Sequence, residues 1–417
     1  MISIITPTHN CKFLKEAYES LLAQDFSGWE WILVPNNGNK IPDEIANDPH
    51  VRVHPLNIVV ENIGSLKSYA CSKAQGEIIV EFDHDDILMP TALSEIIKAF
   101  EEPAVVFAYS NTVEFHDGTW APYTYSADYG WRYRQFDYQG HPLQEAIAFE
   151  PTPQAIAYIW YAPNHLRAWR KDVYDRIGGH DITMKVIDDH DLMCRMFLAG
   201  KFFHIDKPLY LYRVHGKNSW LEKNQLVQQT TRATYAKYIY QLVETWCDRN
   251  NLLRIDLGSN RGAKPAGWKT VDIRGGDFTA DLNGRWPFED NSVGAIRAWD
   301  ILEHLPDKIH SMNEMHRVLV PGGWVLSGTP STDGRGAFQD PTHVSYWNQN
   351  SFWYYTKKGY QNFVPEITAR FQSFRNETIF PSDFHKANDI PYVVSDMVAI
   401  KAGYDRPENH IPALVEI

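Results

Sequence analysis

Cysteines are few and far apart: Cys11, Cys71, Cys194 and Cys247 include no Cys-x-x-Cys pair. That spacing argues against a disulfide framework or a thiolate zinc site, and points to a reducing, cytoplasmic setting. There is no block of lysine and arginine. With a net charge of −12 at pH 7 and no basic stripe, the chain lacks the electrostatic footprint of a nucleic-acid binder. No uninterrupted apolar run is long enough for a membrane span. The opening Met1-Ile2-Ser3-Ile4-Ile5 has neither a charged leader nor a cleavage site, so no signal peptide is expected.

What is present is a soluble composition, 44% hydrophobic and 22% charged, over 417 residues, a length that predicts two domains. Aromatic residues are abundant, with 14 Trp and 22 Tyr, which can pack a core but also line sites for flat rings. Residues 76–82 (Gly-Glu-Ile-Ile-Val-Glu-Phe) read as a buried strand that stops in Asp83-His84-Asp85-Asp86. Carboxylates gathered at a strand end repel unless something positive lies between them. A divalent cation with oxygen ligands, completed by a diphosphate, is one answer; a solvated acidic turn is the other.

Around that stretch the first half alternates strand and helix. Ile2-Ser3-Ile4-Ile5 stops at Thr6-Pro7-Thr8-His9-Asn10, residues 13–24 have helical periodicity, and residues 29–34 form a strand ending in Pro35-Asn36-Asn37-Gly38. Val51-Arg52-Val53, then a helix beginning near Asn62 and carrying Lys67, lead into the acidic strand. This is the pattern of a parallel, doubly wound sheet, whose strand ends bind ligands. Asp188-Asp189-His190-Asp191 opens an amphipathic helix, where acids also suit the dipole. Residues 117–165 are aromatic and Pro-rich. They predict long ordered loops that either offer rings to stack on a ligand or pack on themselves. Residues 220–250 predict one long helix with Leu226, Ala233, Tyr240 and Val243 as its buried stripe. A second α/β pattern starts at residues 252–262, where a strand runs into Asp256, Gly258, Ser259 and Gly262, followed by Thr270-Val271-Asp272.

Four motifs, Ile4-Ile5-Thr6-Pro7-Thr8-His9-Asn10, Phe82-Asp83-His84-Asp85-Asp86, Asp188-Asp189-His190-Asp191-Leu192 and Tyr212-Arg213-Val214-His215-Gly216-Lys217-Asn218-Ser219, occur in this order over about 220 residues. With them the first half resembles a family 2 glycosyltransferase of the GT-A fold. The resemblance implies a nucleotide-sugar donor (UDP, GDP or dTDP), a glycan or other hydroxyl acceptor, Mn²⁺ or Mg²⁺, and displacement with inversion. It places Thr6, Pro7, Thr8, Asn36, Lys67, Asp83 and Asp85 at the donor, Asp83 on the ribose or in support of the ion. Asp85 becomes a metal ligand, and His215 a second ligand or a diphosphate contact. Asp189 becomes the general base, with Asp188 and Asp191 raising its proton affinity. Family members carry an Asp-Asp pair where Asn36 and Asn37 stand here, so the donor nucleotide stays open.

Residues 251–360 resemble a class I S-adenosylmethionine-dependent methyltransferase, through the glycine-rich loop, Leu302-Glu303-His304-Leu305-Pro306 and Arg317-Val318-Leu319-Val320-Pro321-Gly322-Gly323. On that resemblance Asp256, Gly258, Ser259 and Gly262 surround the methionine part of the cofactor, Asp272 binds its ribose and Asp281 lies beside its adenine. Asn260 replaces the loop's usual middle glycine. His343, in a segment that could close over the acceptor, is the candidate base for methylation of a hydroxyl. The expected organisation is a GT-A domain over 1–220, a helical linker over 221–250 and a Rossmann-like methyltransferase domain over 251–417. The expected function is sugar transfer followed by methylation of the glycan. The alternatives are a second domain that only binds or positions the acceptor, and modification of a nucleic-acid base or protein side chain.

Overall fold

The computed structural model describes residues 1–36, 38–56, 59–127, 130–159, 162–215, 223–259 and 265–402. The chain divides into two compact units, Met1–Ala127 with Trp131–Leu242 in the first and Val243 onward in the second.

The first unit is built on β1 (Ile2–Thr8), β2 (Trp29–Pro35), β3 (Val51–Val53), β4 (Ile78–Glu81), β5 (Ile87–Leu88), β6 (Val105–His116), β7 (Tyr133–Tyr138), β8 (His141–Ala146), β9 (Arg167–Arg170) and β10 (Lys201–Val214). Their order is β3-β2-β1-β4-β9-β6-β10-β5, with β7 and β8 joined to β6. Every residue of β1, β2 and β4 is buried, which is why these strands are continuous apolar runs rather than alternating ones. β1 pairs in parallel with β2 on one side and β4 on the other, so the chain reverses its winding there. The strand ends at this point are cross-linked. Trp31 Nε1 donates to Thr6 Oγ1 at 2.8 Å, and Thr6 Oγ1 donates to the Phe82 carbonyl at 2.6 Å. Trp31, Phe82, Ile4, Leu33 and Tyr210 continue this contact into the core.

Two expectations change. Part of the aromatic segment is a hairpin: β7 and β8 pair in register, and β8 joins β6. Its two-residue turn, Gln139-Gly140, has φ of 54° and 85°. Both central residues take the left-handed region that such hairpins need, and Gln in place of Asn or Asp hides the turn signal. The long helix, Asn224–Arg249, buries Val227, Thr231, Tyr235, Tyr238, Leu242 and, as expected, Val243, while Leu226 and Ala233 are exposed. The stripe is displaced by one position because Val227 packs with Val186 and Ile187, and Tyr238 reaches back to hydrogen-bond Asp191. Most of this helix is therefore part of the first unit.

The second unit contains β11 (Leu253–Leu257), β12 (Lys269–Asp272), β13 (Gly275–Gly276), β14 (Phe278–Thr279), β15 (Val293–Trp299), β16 (Leu319–Pro330), β17 (Phe371–Ile379) and β18 (Tyr392–Ala399). The sheet order is β14-β12-β11-β15-β16-β18-β17, parallel from β14 to β16 and antiparallel at β18 and β17. The winding reverses between β11 and β15. Both halves are thus α/β, a GT-A type mixed sheet followed by a Rossmann-like sheet of the methyltransferase kind. No described helix is long and apolar enough to cross a membrane.

Candidate active site

A cleft of about 920 Å³ opens in the first unit where β1 and β4 end, the position at which a reversal of winding leaves a crevice. Thr8 ends β1 and His9 follows it, and Asp83, His84 and Asp85 follow β4; all five line the cleft.

The loop after β4 is pinned from behind. Asp86 is buried, accepts from the Tyr210 hydroxyl and the Arg213 N–H at 2.7 Å each, and is pushed well above the usual carboxylate range by burial and by Asp85 and Asp83. Arg213 Nε also donates to the Asp85 carbonyl at 2.7 Å. With Asp86 turned inward, Asp85 faces the cleft, and its Oδ2 lies 2.9 Å from His215 Nε2. The two residues proposed as metal ligands, 130 positions apart, meet here. A carboxylate and an imidazole at one wall, with Asp83 beside them, form an N/O donor set that suits Mn²⁺ or Mg²⁺, so the residues present fit the ion that the resemblance implies. Among the described residues, Asp83, Asp86 and His165 form a second nearby donor cluster. His9 sits edge-on to His84, and burial together with His84 holds it below the ordinary histidine value.

The same cleft is lined by the start of the helix Asp188–Ala199, entered through Ile187 in the left-handed conformation. Here one expectation is overturned. Asp189 is not raised by its acidic neighbours. Burial pushes it up, but Arg167 and Lys67 outweigh burial and hold it below the ordinary value. Arg167 Nη1 donates to Asp189 Oδ2 at 2.6 Å. The raised group is Asp188, pushed up to about 7 by burial against the pull of Lys67. It packs so closely on the helix Ile63–Lys73 that a Cβ on Gly64 would stand 3.0 Å from its Cγ. Asp191 points elsewhere, to Arg195, Lys237 and Tyr238.

Sequence reasoning missed the network beneath these acids. Lys67, assigned to the donor, gives its ammonium to Glu81, and Glu81 Oε2 lies 3.7 Å from both Arg167 Nη1 and His165 Nε2. Glu81 and Arg167 are buried charges inside otherwise apolar strands, and that was the available signal: such charges must find partners. Asn36 is similarly engaged. Its side chain donates to the Val60 carbonyl at 2.7 Å and accepts from the Val60 N–H at 3.1 Å, shaping the rim of the cleft. Asn37 and residues 216–219 lie outside the described residues. Of the aromatic segment, Tyr125 reaches the cleft, while Trp131 stacks on Tyr125 and Trp120 on Phe115 and His141.

In the second unit Gly258 ends β11 with φ of +76°, and a Cβ there would meet Ile301 Cδ1 at 2.9 Å. Only glycine suits this close turn, the cradle that a cofactor's methionine part requires. Ser259 follows it; Asn260 and Gly262 lie outside the described residues. Asp272 ends β12 and Asp281 lies at the end of the sheet beyond β14; each accepts from a backbone N–H two residues on. Asp256 is fully buried, with Arg297 Nη1 at 3.0 and 2.9 Å from its two oxygens, so it braces the strand end from inside. The residues fit S-adenosylmethionine at the described positions. His343 lies beside Glu303 and His304.

Residues 3–157 match the family model for glycosyl transferase family 2, and residues 247–327 match that for a methyltransferase domain. The O-antigen biosynthesis protein RfbC of Myxococcus xanthus is 25% identical over 229 residues, 50% of this chain and 16% of that protein. Chondroitin synthase of Escherichia coli is 23% identical over 54% of this chain and 30% of its own length. The uncharacterized glycosyltransferase alr2836 of Nostoc sp. is 24% identical over 52% of this chain and 66% of its own. The match thus spans less than two thirds of each relative. The crystal structure of S. aureus TarS 1-349 in complex with UDP aligns with a TM-score of 0.43 at 18% identity, covering 60% of this chain and 72% of that one.

Proposed function

We propose that this chain, a family 2 glycosyl transferase segment followed by a methyltransferase domain, transfers a sugar from a nucleotide-sugar donor to a glycan hydroxyl, with inversion, and methylates the glycan with S-adenosylmethionine. The observation that carries the first step is the pairing of Asp85 with His215 in the cleft that Asp189 also lines. Asp85 and His215 would hold Mn²⁺ or Mg²⁺, which offsets charge on the leaving diphosphate when bound. Pro7, Thr8 and Asn36 frame the nucleotide end, with Asp83 at the ribose or supporting the ion; Thr6, expected at the donor, is buried behind the cleft and ties Trp31 to the Phe82 carbonyl instead. Lys67 acts through Glu81 rather than on the donor.

Asp189 takes the proton from the acceptor hydroxyl. Held ionised by Arg167, it is always ready to accept but is a weak base, so deprotonation follows departure of the diphosphate rather than leading it. Gly258, Ser259, Gly262 and Asp272 would hold the cofactor, with Asp256 as an internal brace and Asp281 near the adenine. His343 stands at the acceptor hydroxyl. One observation favours the second reading, a non-catalytic acceptor-binding unit: Asp256 is wholly taken up by Arg297.

The test is product analysis with the intact chain, a panel of UDP-, GDP- and dTDP-sugars, and a glycan acceptor. An inverted anomeric centre in the product supports the first step, and retention refutes it. Calorimetric binding of S-adenosylmethionine supports the second step, whereas no binding leaves the acceptor-binding reading.

A further inference from the structure

The second unit holds a group of residues that no step above requires as a set. Glu303 and His304 lie in the short turn Leu302–His304 after β15, and His343 lies in the loop that follows β16. One ligand atom from each lies within 4.8 Å of the other two. The two segments are tied together, since the N–H groups of Val344 and Ser345 both donate to the Glu303 carbonyl, at 2.8 and 3.0 Å.

Each side chain is oriented by a partner on its far side. Thr329 Oγ1 donates to Glu303 Oε2 at 2.7 Å, leaving Oε1 toward His343. His343 Nδ1 lies 3.0 Å from the Ala337 carbonyl, and His304 Nδ1 lies 3.1 Å from the Thr342 carbonyl. A carbonyl can only accept, so both imidazoles carry their proton on Nδ1 and leave the Nε2 lone pair available. His343 Nε2 is 4.0 Å from Glu303 Oε1. That gap is too long for a hydrogen bond, and a closing of the two side chains by about 0.5–1 Å sets both atoms on one ion at about 2.0–2.2 Å. Outer partners that fix tautomer and orientation are the mark of histidines built to ligate.

We propose that Glu303, His304 and His343 form a second divalent-cation site, of the two-histidine, one-carboxylate type that selects Zn²⁺, Mn²⁺ or Fe²⁺ over Ca²⁺. The site is near the cofactor cradle, because Gly258 packs on Ile301, two residues before Glu303. A cation there presents open positions to an oxygen-bearing acceptor, and His343 is then a ligand rather than a lone base. This use rests on the methyl-transfer reading; the binding of the ion does not.

The test is Co²⁺ titration of the full chain carrying Asp85→Ala and His215→Ala, with His165→Ala added to break the first unit's other donor cluster of Asp83, Asp86 and His165. One equivalent should bind, with visible d–d absorption. Adding His304→Ala or His343→Gln should weaken it by at least about a hundredfold, and Thr329→Val by roughly 10–100-fold. His304 is partly exposed, so its replacement spares the core. If the Asp85/His165/His215 variant keeps its wild-type circular dichroism and binds no Co²⁺, the proposal fails. Equal affinity in the His304→Ala chain overturns it too. S-adenosylmethionine binding, measured separately on the same proteins, reports on the methyl-transfer reading by itself.

Discussion

Replacing Asp188 by Asn should stabilise the first unit, and by an amount that depends on pH. The carboxyl is buried, with its Oδ2 lacking a hydrogen-bond partner, and lies 3.9 Å from the buried His180 Nε2. Burial moves it from 3.8 to about 7. A folded value above the unfolded one means that ionisation favours the unfolded chain. The corresponding loss is negligible below about pH 3, about 1 kcal/mol at pH 4.5, and levels off at about 4 kcal/mol above pH 7. Asp188 and Asp189 share the field of Lys67, so the net gain from Asp188→Asn at pH 8 should be roughly 2–4 kcal/mol. Asn preserves shape, which matters against Gly64. The assay is hydrogen exchange of the β1 and β4 amides in intact wild-type and variant chains, compared at matched pH. A variant no more stable than wild type at pH 8, or an equal difference at pH 4.5 and pH 8, refutes the reasoning.

Three further outcomes are expected. Asp189→Asn should lower turnover by roughly 10²–10⁴-fold with donor affinity retained, as measured by steady-state kinetics beside nucleotide-sugar calorimetry. Arg167→Met removes the cation beside partly exposed Asp189 while Lys67 still holds buried Glu81, and should destabilise the first unit by about 1–3 kcal/mol, measurable by the same exchange experiment. Gly258→Ala forces a Cβ into Ile301 at positive φ, and S-adenosylmethionine affinity measured by calorimetry should fall while sugar transfer is unchanged.

The elements that position the site were readable because they are apolar runs cut short by polar punctuation. β1 stops at Thr8, β4 at Glu81 before Asp83, and β11 at Leu257 before Gly258. The motifs that follow β1 and β4 converge on one cleft in the first unit. The protonation of the site was not readable. The run Asp188-Asp189-His190-Asp191 suggests mutual repulsion, but its first turn sends each acid to a different environment: Asp188 inward to His180, Asp189 to Arg167, Asp191 to Lys237 and Tyr238. Those neighbours come from a loop, a strand and the long helix, which only the fold brings beside each acid. The same holds for Lys67, whose partner Glu81 lies 14 residues on but across the α/β layer. The turn at Gln139-Gly140 was hidden by its composition, and the helix stripe was displaced because its register is fixed by Val186, Ile187 and Asp191 rather than by periodicity alone.

The pairing of Asp85 with His215 is the claim on which the transferase reading stands, and cation-dependent donor binding tests it most directly. Binding of UDP-, GDP- and dTDP-sugars would be measured by calorimetry after chelator treatment, then with Mn²⁺ restored, for wild type, Asp85→Ala and His215→Ala. One donor should bind only with the cation, and both substitutions should weaken that binding by roughly 10²-fold or more. Donor binding that is indifferent to Mn²⁺ and to both substitutions would contradict the assignment of this cleft.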